Sequence, residues 1–168
     1  MKLQIWLGTL KAVFVAVSVF LADIVTKAAV LQSFELNQSV AVAPFLNLGF
    51  WLNPGAAFSF LSDAGGWQRY FFTAVAVVAI AWLSYSIFFS STISALTRVA
   101  FALIAGGAAG NLYDRLVHGA VVDWIDLHAG EWHWPAFNLA DCGIVIGAAL
   151  VVLASLRPES PTRECSRL

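Results

Sequence analysis

The sequence has 168 residues and a net charge of −1, and 60% of its residues are hydrophobic whereas only 11% are charged. Mean hydropathy is +0.81, which excludes an ordinary soluble domain and predicts a single integral membrane domain. The sequence has no basic patch, so nucleic acid is not an expected partner. Cys142 lies in an apolar run and Cys165 in a polar tail, so neither a disulfide nor a cysteine metal cluster is expected.

Four apolar segments are long enough to cross a bilayer, at residues 3–30, 67–89, 97–116 and 137–156. The first begins like a signal peptide, but Lys11 interrupts its apolar run, and Asp23 and Lys27 continue the helical pattern, so we expect a retained helix. Asp23 and Lys27 share a helix face and can pair, either to fix this helix end or to act directly in a site. The third segment contains AGGAAG, small residues that let a neighbouring helix approach closely.

Residues 31–66 are too polar to span a bilayer, yet they contain more than a plain loop. Partial alternation in SFELNQSVAVAP and FLNLGFWLN predicts two short strands outside the membrane. Aromatic residues here and in the connector before the fourth segment are typical of a membrane interface: Phe50, Trp51, Phe58, Phe60, Trp124, Trp132 and Trp134. The predicted fold is an all-α membrane protein of four transmembrane helices, with a small β-sheet and an interfacial segment on the external side.

The distribution of basic residues predicts the orientation. Four crossings place both termini on one side, and the basic residues Lys2, Arg98, Arg157, Arg163 and Arg167 fall there, whereas residues 31–66 contain no Lys or Arg. The positive-inside rule therefore predicts cytoplasmic termini and a cytoplasmic tail at residues 157–168. As a consequence, the polar side chains of Asp23, Asn53, Asp114, Asp123 and Asp141 gather at the external end of the bundle.

The stretch from 106 to 141 holds four of the six aspartates of the chain. Ionisable groups at membrane depth are costly, so the default interpretation is a functional site. Helical spacing puts Asn111, Asp114 and Arg115 on one face, and Asn138 and Asp141 fall in the first turn of the fourth helix, while Asp123 comes from the connector. Two carboxyl groups in a poorly solvated pocket share one proton. Such a pair can activate water without a metal or other cofactor.

Several other chemistries fit these residues less well or equally well. Metal binding by His118, His128, His133 and Glu131 is disfavoured, because HAGEWH at 128–133 lacks the H-E-x-x-H spacing. Ser59 has no histidine placed to activate it. Asp126 competes with Asp123, but we expect it to be solvated or to cap an element. From chemistry alone a peptidase, a proton-coupled transporter and a purely structural polar cluster all stay possible.

Five motifs, in order from the first helix to the fourth, resemble those of one family. They are D-x-x-x-K at 23–27, N-x-G-A-A-F-S at 53–59, G-x-x-x-G-N-L-x-D-R at 106–115, V-V-D at 121–123 and F-N-x-A-D at 137–141. The sequence resembles the lipoprotein signal peptidases, or signal peptidase II, of aspartyl peptidase family A8. The four-helix topology expected above is also that of the family.

The resemblance implies a cofactor-free aspartyl endopeptidase of the bacterial inner membrane, with its site near the external leaflet. It would cut prolipoproteins immediately before a diacylglyceryl-modified cysteine, in contact with membrane lipids and as a monomer. Asp123 and Asp141 would be catalytic. Substrate binding would fall to Asn53, Asn111, Arg115 and Asn138. The supporting residues would be Asp23 and Lys27, together with Asp114, which would hold Arg115.

Overall fold

A computed structural model describes residues 2–55 and 65–156. Within these residues the helices are α1 (Lys2–Ser33), α2 (Trp67–Phe89), α3 (Ala95–Val117) and α4 (Leu139–Ser155), and the strands are β1 (Ser39–Ala43), β2 (Leu46–Asn53), β3 (Val121–Ala129) and β4 (Trp132–His133). The expected interfacial anchors Phe58 and Phe60, the Ser59 hydroxyl and the tail at 157–168 lie outside the described residues.

The helices of the predicted membrane spans are present, with small differences at their ends. α1, α2 and α3 are long and apolar enough to cross a membrane, whereas α4 is apolar but shorter, with 17 residues. At 1.5 Å per residue, α4 is about 26 Å long, slightly less than a hydrocarbon core of about 30 Å. α4 begins at Leu139 because Asn138 is its N-cap, and α3 begins at Ala95 because the Ser94 side chain accepts a hydrogen bond from the amide of Thr97.

α3 is the central helix of the bundle and packs against α1, α2 and α4. Its small residues make this possible. A Cβ added at Gly106 would lie 2.5 Å from the carbonyl oxygen of Ala16 in α1, and one added at Gly107 would overlap the carbonyl oxygen of Ala140 in α4. The prediction that AGGAAG permits close helix packing is therefore confirmed.

The predicted strands of the 31–66 insertion are β1 and β2, which form an antiparallel hairpin. The sheet is larger than predicted, because the connector after α3 adds β3 and β4 in the order β1-β2-β3-β4. Sequence alone identified this connector only as an aromatic surface segment. In VVDWIDLHA two aspartates interrupt the apolar alternation, and its partner β2 lies some 70 residues earlier. The pairing of Asn53 with Val121 and of Trp51 with Asp123 brings the end of β2 beside the start of β3.

The opposite end of the bundle contains a buried cation. Arg98 of α3 is 4% exposed, and its guanidinium donates to the Thr9 hydroxyl and to the carbonyl oxygens of Ile87 and Ser90. These carbonyls lie at the C-terminus of α2, where a positive charge is favourable. Arg98 therefore ties α1, α2 and α3 together at the end away from the aspartates.

We expect Gly107→Ala to destabilise the fold. The new methyl group would meet backbone of α4, which cannot rotate away, and overpacking of this kind costs about 1–3 kcal/mol. Thermal unfolding of the purified protein in detergent would show a lower midpoint. Gly8→Ala is the matched control, because a Cβ there meets only the Arg98 side chain at 3.6 Å. Equal midpoints for the two variants would contradict the role given to Gly107.

Candidate active site

The structure brings all nine predicted site residues into one polar cluster at the end of the bundle that carries the sheet. Two of these residues lie in α1, three lie in α3, and two lie at the start of α4. The end of β2 and the adjacent start of β3 contribute one residue each. The residues are Asp23, Lys27, Asn53, Asn111, Asp114, Arg115, Asp123, Asn138 and Asp141.

A buried ion triad lies at the base of this cluster. The Lys27 ammonium nitrogen is 2.6 Å from a carboxylate oxygen of Asp23 and 2.8 Å from one of Asp114, and all three side chains are at most 2% exposed. The predicted pairing of Asp23 with Lys27 is thus confirmed. Lys27 also donates to the Asn111 side-chain oxygen at 3.0 Å. One ammonium therefore connects the first helix to two neighbouring turns of α3.

The two carboxylates of the triad reach the elements that carry the other aspartates. Asp23 accepts a hydrogen bond from the backbone amide of Ala140 at 2.9 Å, and Asp114 accepts one from the amide of Val122 at 3.0 Å. Ala140 precedes Asp141 and Val122 precedes Asp123 in the chain. The triad thus anchors the backbone next to each of these two residues.

The expectation that Asp114 holds Arg115 is wrong in its choice of partner. Asp114 binds Lys27 and the Val122 amide instead, because adjacent residues on a helix point in different directions. The Arg115 guanidinium donates to the carbonyl oxygens of Asn111 at 3.3 Å and of Gly55 at 2.9 Å. It also lies over the ring of Phe72, 5.5 Å from the ring centre.

Asp123 is a buried carboxyl group held by two amides. It is 3% exposed and accepts hydrogen bonds from the side chains of Asn53 at 3.1 Å and Asn138 at 2.7 Å. Burial, together with the nearby charge of Asp141, raises the pKa of Asp123 to about 7, although both amide hydrogen bonds act in the opposite direction. This carboxyl group therefore titrates near neutral pH.

Asp141 lies in the first turn of α4 and is fixed by a capping box. The Asn138 side-chain oxygen accepts from the Asp141 amide at 2.9 Å, and the Asp141 carboxylate accepts from the Asn138 amide at 3.3 Å. The Asp141 carboxylate also accepts from the Asn111 side chain at 2.8 Å. Asn138 thus binds both carboxyl groups, that of Asp123 through its side-chain nitrogen and that of Asp141 through its backbone amide.

Asp123 and Asp141 line the same cavity, which has a volume of about 680 Å³. The cavity lies between α2 and α4, against α3, and extends beneath the sheet. Asn53, Asn111 and Arg115 supply most of its other polar groups, and the rest of the wall is apolar. On α2 the lining residues recur at helical spacing, namely Phe72, Val75, Ala76 and Ala79.

Comparison with known proteins identifies the family. The sequence model described as "Signal peptidase (SPase) II" matches residues 15–157. A lipoprotein signal peptidase of Klebsiella aerogenes is 49% identical over 151 residues, which cover 90% of this chain and 92% of the relative. Another from Klebsiella pneumoniae subsp. pneumoniae is 47% identical over 155 residues, with coverages of 92% and 93%.

The chain belongs to the signal peptidase II family. The resemblance drawn from its five motifs is confirmed, and signal peptidase II is an aspartic protease family. Two solved structures titled as bacterial membrane enzymes are also similar. One shares 31% identity with a TM-score of 0.80 and covers 94% of both chains. The other shares 32% identity with a TM-score of 0.75, and covers 89% of this chain and 94% of its own. Family membership favours the peptidase among the three possibilities that the residues left open.

The expectation that Asp126 is solvated or caps an element is wrong. This residue is 7% exposed and accepts hydrogen bonds from the Asn47 side chain at 2.8 Å and from His133 at 2.9 Å. Burial alone would raise the pKa of Asp126, but the Asn47 and His133 hydrogen bonds and the nearby His128 outweigh it, so the pKa lies below its usual value. Asp126 is therefore a paired carboxylate of the sheet, and Asn47 and His133 are partners that sequence reasoning missed.

Phe72 and Gly55 were also missed as neighbours of the site. Phe72 lies in an apolar helix with Phe71 beside it, and nothing in the sequence marks which of the two rings faces Arg115. Gly55 lies in the recognised N-x-G-A-A-F-S motif, but its contribution is a backbone carbonyl oxygen. A backbone acceptor leaves no signal in the residue type.

We expect Lys27→Met to destabilise the protein strongly. It would leave two buried carboxylates without their cation, and breaking a buried pair in this way costs about 3–5 kcal/mol. The unfolding midpoint in detergent should fall well below that of the wild type. Lys11→Met, which replaces an exposed lysine of the same helix, should change it little. A Lys27→Met protein as stable as the Lys11→Met protein would show that the triad does not hold the bundle together.

Proposed function

We propose that this protein is an intramembrane aspartyl endopeptidase that removes the signal peptide from diacylglyceryl-modified prolipoproteins, cutting immediately before the lipidated cysteine. The observation that carries the proposal is the pair of carboxyl groups, Asp123 and Asp141, that line one cavity and both bind Asn138. The names of the similar proteins supply the substrate class, because they are lipoprotein signal peptidases.

The catalytic step follows from a proton shared by the two carboxyl groups. One carboxyl group stays ionised and removes a proton from water as the water oxygen attacks the scissile carbonyl carbon, while the protonated one donates a hydrogen bond to the carbonyl oxygen. The resulting tetrahedral intermediate then collapses. Its carbon–nitrogen bond breaks as the amine nitrogen takes a proton from the pair, which regenerates one protonated and one ionised carboxyl group. The pKa of about 7 for Asp123 supports a proton that resides on the pair at neutral pH.

The polar side chains around the pair would grip the substrate backbone. Arg115 lines the cavity with a side-chain nitrogen, Nε, that has no partner among the described residues, and its guanidinium is held by carbonyl oxygens and the Phe72 ring. A buried donor of this kind gains most when a substrate carbonyl oxygen accepts its hydrogen bond. Asn53, Asn111 and Asn138 supply further amides, and the Asp23, Lys27 and Asp114 triad holds the frame.

The apolar part of the cavity would receive the membrane-buried part of the substrate. Its walls on α2 and α4 are apolar, and a signal peptide is an apolar segment. The acyl chains of a diacylglyceryl cysteine hold that residue at the leaflet surface, so a site at the same depth reaches the scissile bond without extracting the lipid. Residues 31–66 would cover the bound chain and exclude water.

The proposed orientation puts α4 across the membrane as the fourth span, the termini in the cytoplasm and the site near the external leaflet of the bacterial inner membrane. The buried Arg98 lies at the end of the bundle opposite the aspartates, which agrees with basic residues on the cytoplasmic side. The protein would act as a monomer among membrane lipids.

We expect Asp123→Asn and Asp141→Asn each to reduce cleavage by about 10²- to 10⁴-fold, the contribution typical of a general acid or base. The assay incubates purified protein with a diacylglyceryl-modified precursor and its unlipidated twin, and mass spectrometry locates a cut before the cysteine in the first only. Glu131→Gln makes the same change at an exposed carboxylate and should keep the wild-type rate. Normal processing by either aspartate variant would exclude that residue from catalysis.

The shared proton also predicts a pH dependence. The pKa of Asp123 is raised to about 7, so its protonated form predominates below that pH and is lost above it. We therefore expect kcat/KM for the lipidated precursor to fall as pH rises through about 7, and to approach a tenfold loss per pH unit beyond it. Tryptophan fluorescence recorded over the same range would control for unfolding. A flat profile between pH 6 and 9 would contradict the shared-proton mechanism.

A further inference from the structure

A second cavity, of about 630 Å³, adjoins the first on the side of the sheet. Its lining residues belong to the strands and their connecting segments, whereas three helices form much of the first cavity. The two cavities share five lining residues, which are Asn53, Asp123, Trp134, Pro135 and Ala136. Asp123 therefore stands at the junction between an apolar chamber in the bundle and a chamber on the sheet.

A peptide that is cut at Asp123 must leave this junction in two directions. The part before the scissile bond is the apolar signal peptide, which matches the chamber between the helices. The part after the bond is the start of the mature chain, which leads away from the membrane. The sheet-side cavity carries polar groups suited to such a segment, because Asn37, Ser39 and Asn47 offer amide and hydroxyl groups to a peptide backbone.

The wall of the sheet-side cavity is acidic. Asp123 and Asp126 bring two carboxyl groups to it, and the basic group in its described lining is the His133 imidazole. His133 is half-exposed, and its Nδ1 donates to the Asp126 carboxylate at 2.9 Å, while the Asn47 side-chain amide donates to the same carboxylate at 2.8 Å. The mechanism above does not use this Asn47–Asp126–His133 group, although it lies three residues along β3 from Asp123.

We propose that the sheet-side cavity binds the first residues of the mature chain, just beyond the scissile bond, and that the Asp126 carboxylate, oriented by Asn47 and His133, makes it discriminate against acidic side chains there. This inference rests on the proposed function and assigns a specificity role to a cluster outside the catalytic pair. A negatively charged side chain entering the cavity meets the Asp126 carboxylate, whereas a lysine is attracted to it. For one partly screened charge pair, the expected discrimination is about fivefold.

The test uses three diacylglyceryl-modified peptides that differ only at the second residue after the modified cysteine, which is lysine, serine or glutamate. We expect the wild type to cut the lysine peptide with a kcat/KM about fivefold above that of the glutamate peptide, with the difference in KM. In Asp126→Asn this ratio should move towards one. Each ratio is taken within one preparation, so it does not depend on the fraction of folded enzyme.

Two further variants separate a local effect from a change in overall charge. Glu131→Gln removes an exposed carboxylate near the same strands and should leave the ratio at its wild-type value. Ser39→Lys adds a cation to the cavity wall and should shift the preference towards the glutamate peptide. A ratio that stays the same in both Asp126→Asn and Ser39→Lys would overturn the subsite while leaving the proposed cleavage intact. Failure to cut even the serine peptide would overturn the proposed function, and the subsite with it.

Discussion

The contact between one buried ammonium and two buried carboxylates holds together the elements that meet at the sheet-bearing end of the bundle. The Lys27 ammonium is buried away from water, so leaving it unpaired would be costly. Its ion pairs with Asp23 and Asp114 are therefore strongly favoured over separation. Each carboxylate then uses a further oxygen lone pair to bind a backbone amide, of Ala140 in one case and Val122 in the other. The Asp23 and Asp114 carboxylates thus fix the positions of α4 and β3 relative to the bundle.

Asn138 connects the carboxyl groups of Asp123 and Asp141 within this arrangement. Its side-chain oxygen caps α4, while its side-chain nitrogen donates to Asp123. The residue that begins the helix of Asp141 is therefore also the residue that holds Asp123. The same burial that makes this arrangement rigid raises the pKa of Asp123, so the protein keeps an acid whose ionised form is disfavoured in the folded state.

The sequence was sufficient to predict which residues gather in the polar cluster, because charged side chains buried in an apolar chain must pair with one another. It also predicted the helices, since long apolar runs carry a strong signal. β3 was not predicted: its alternation is interrupted by Asp123 and Asp126, and its partner strand is distant in sequence. The partners of Asp114 and Asp126 were also wrong or missed, because both depend on which elements meet in space. Neither helical spacing nor residue type carries that information.

The glycines of α3 affect both the packing of the helices and the position of the charged side chains. From the sequence alone, AGGAAG is interpreted as a packing motif, and a role in the site is assigned only to the polar residues that follow it. In the structure a Cβ at Gly110 would overlap the Asp23 carboxylate, the group that pairs with Lys27 and holds the start of α4. Gly110 precedes Asn111, which binds both Lys27 and Asp141. A larger residue at 110 would therefore displace the charge cluster before it disturbed the helix contact, so this glycine belongs to the site as much as to the bundle.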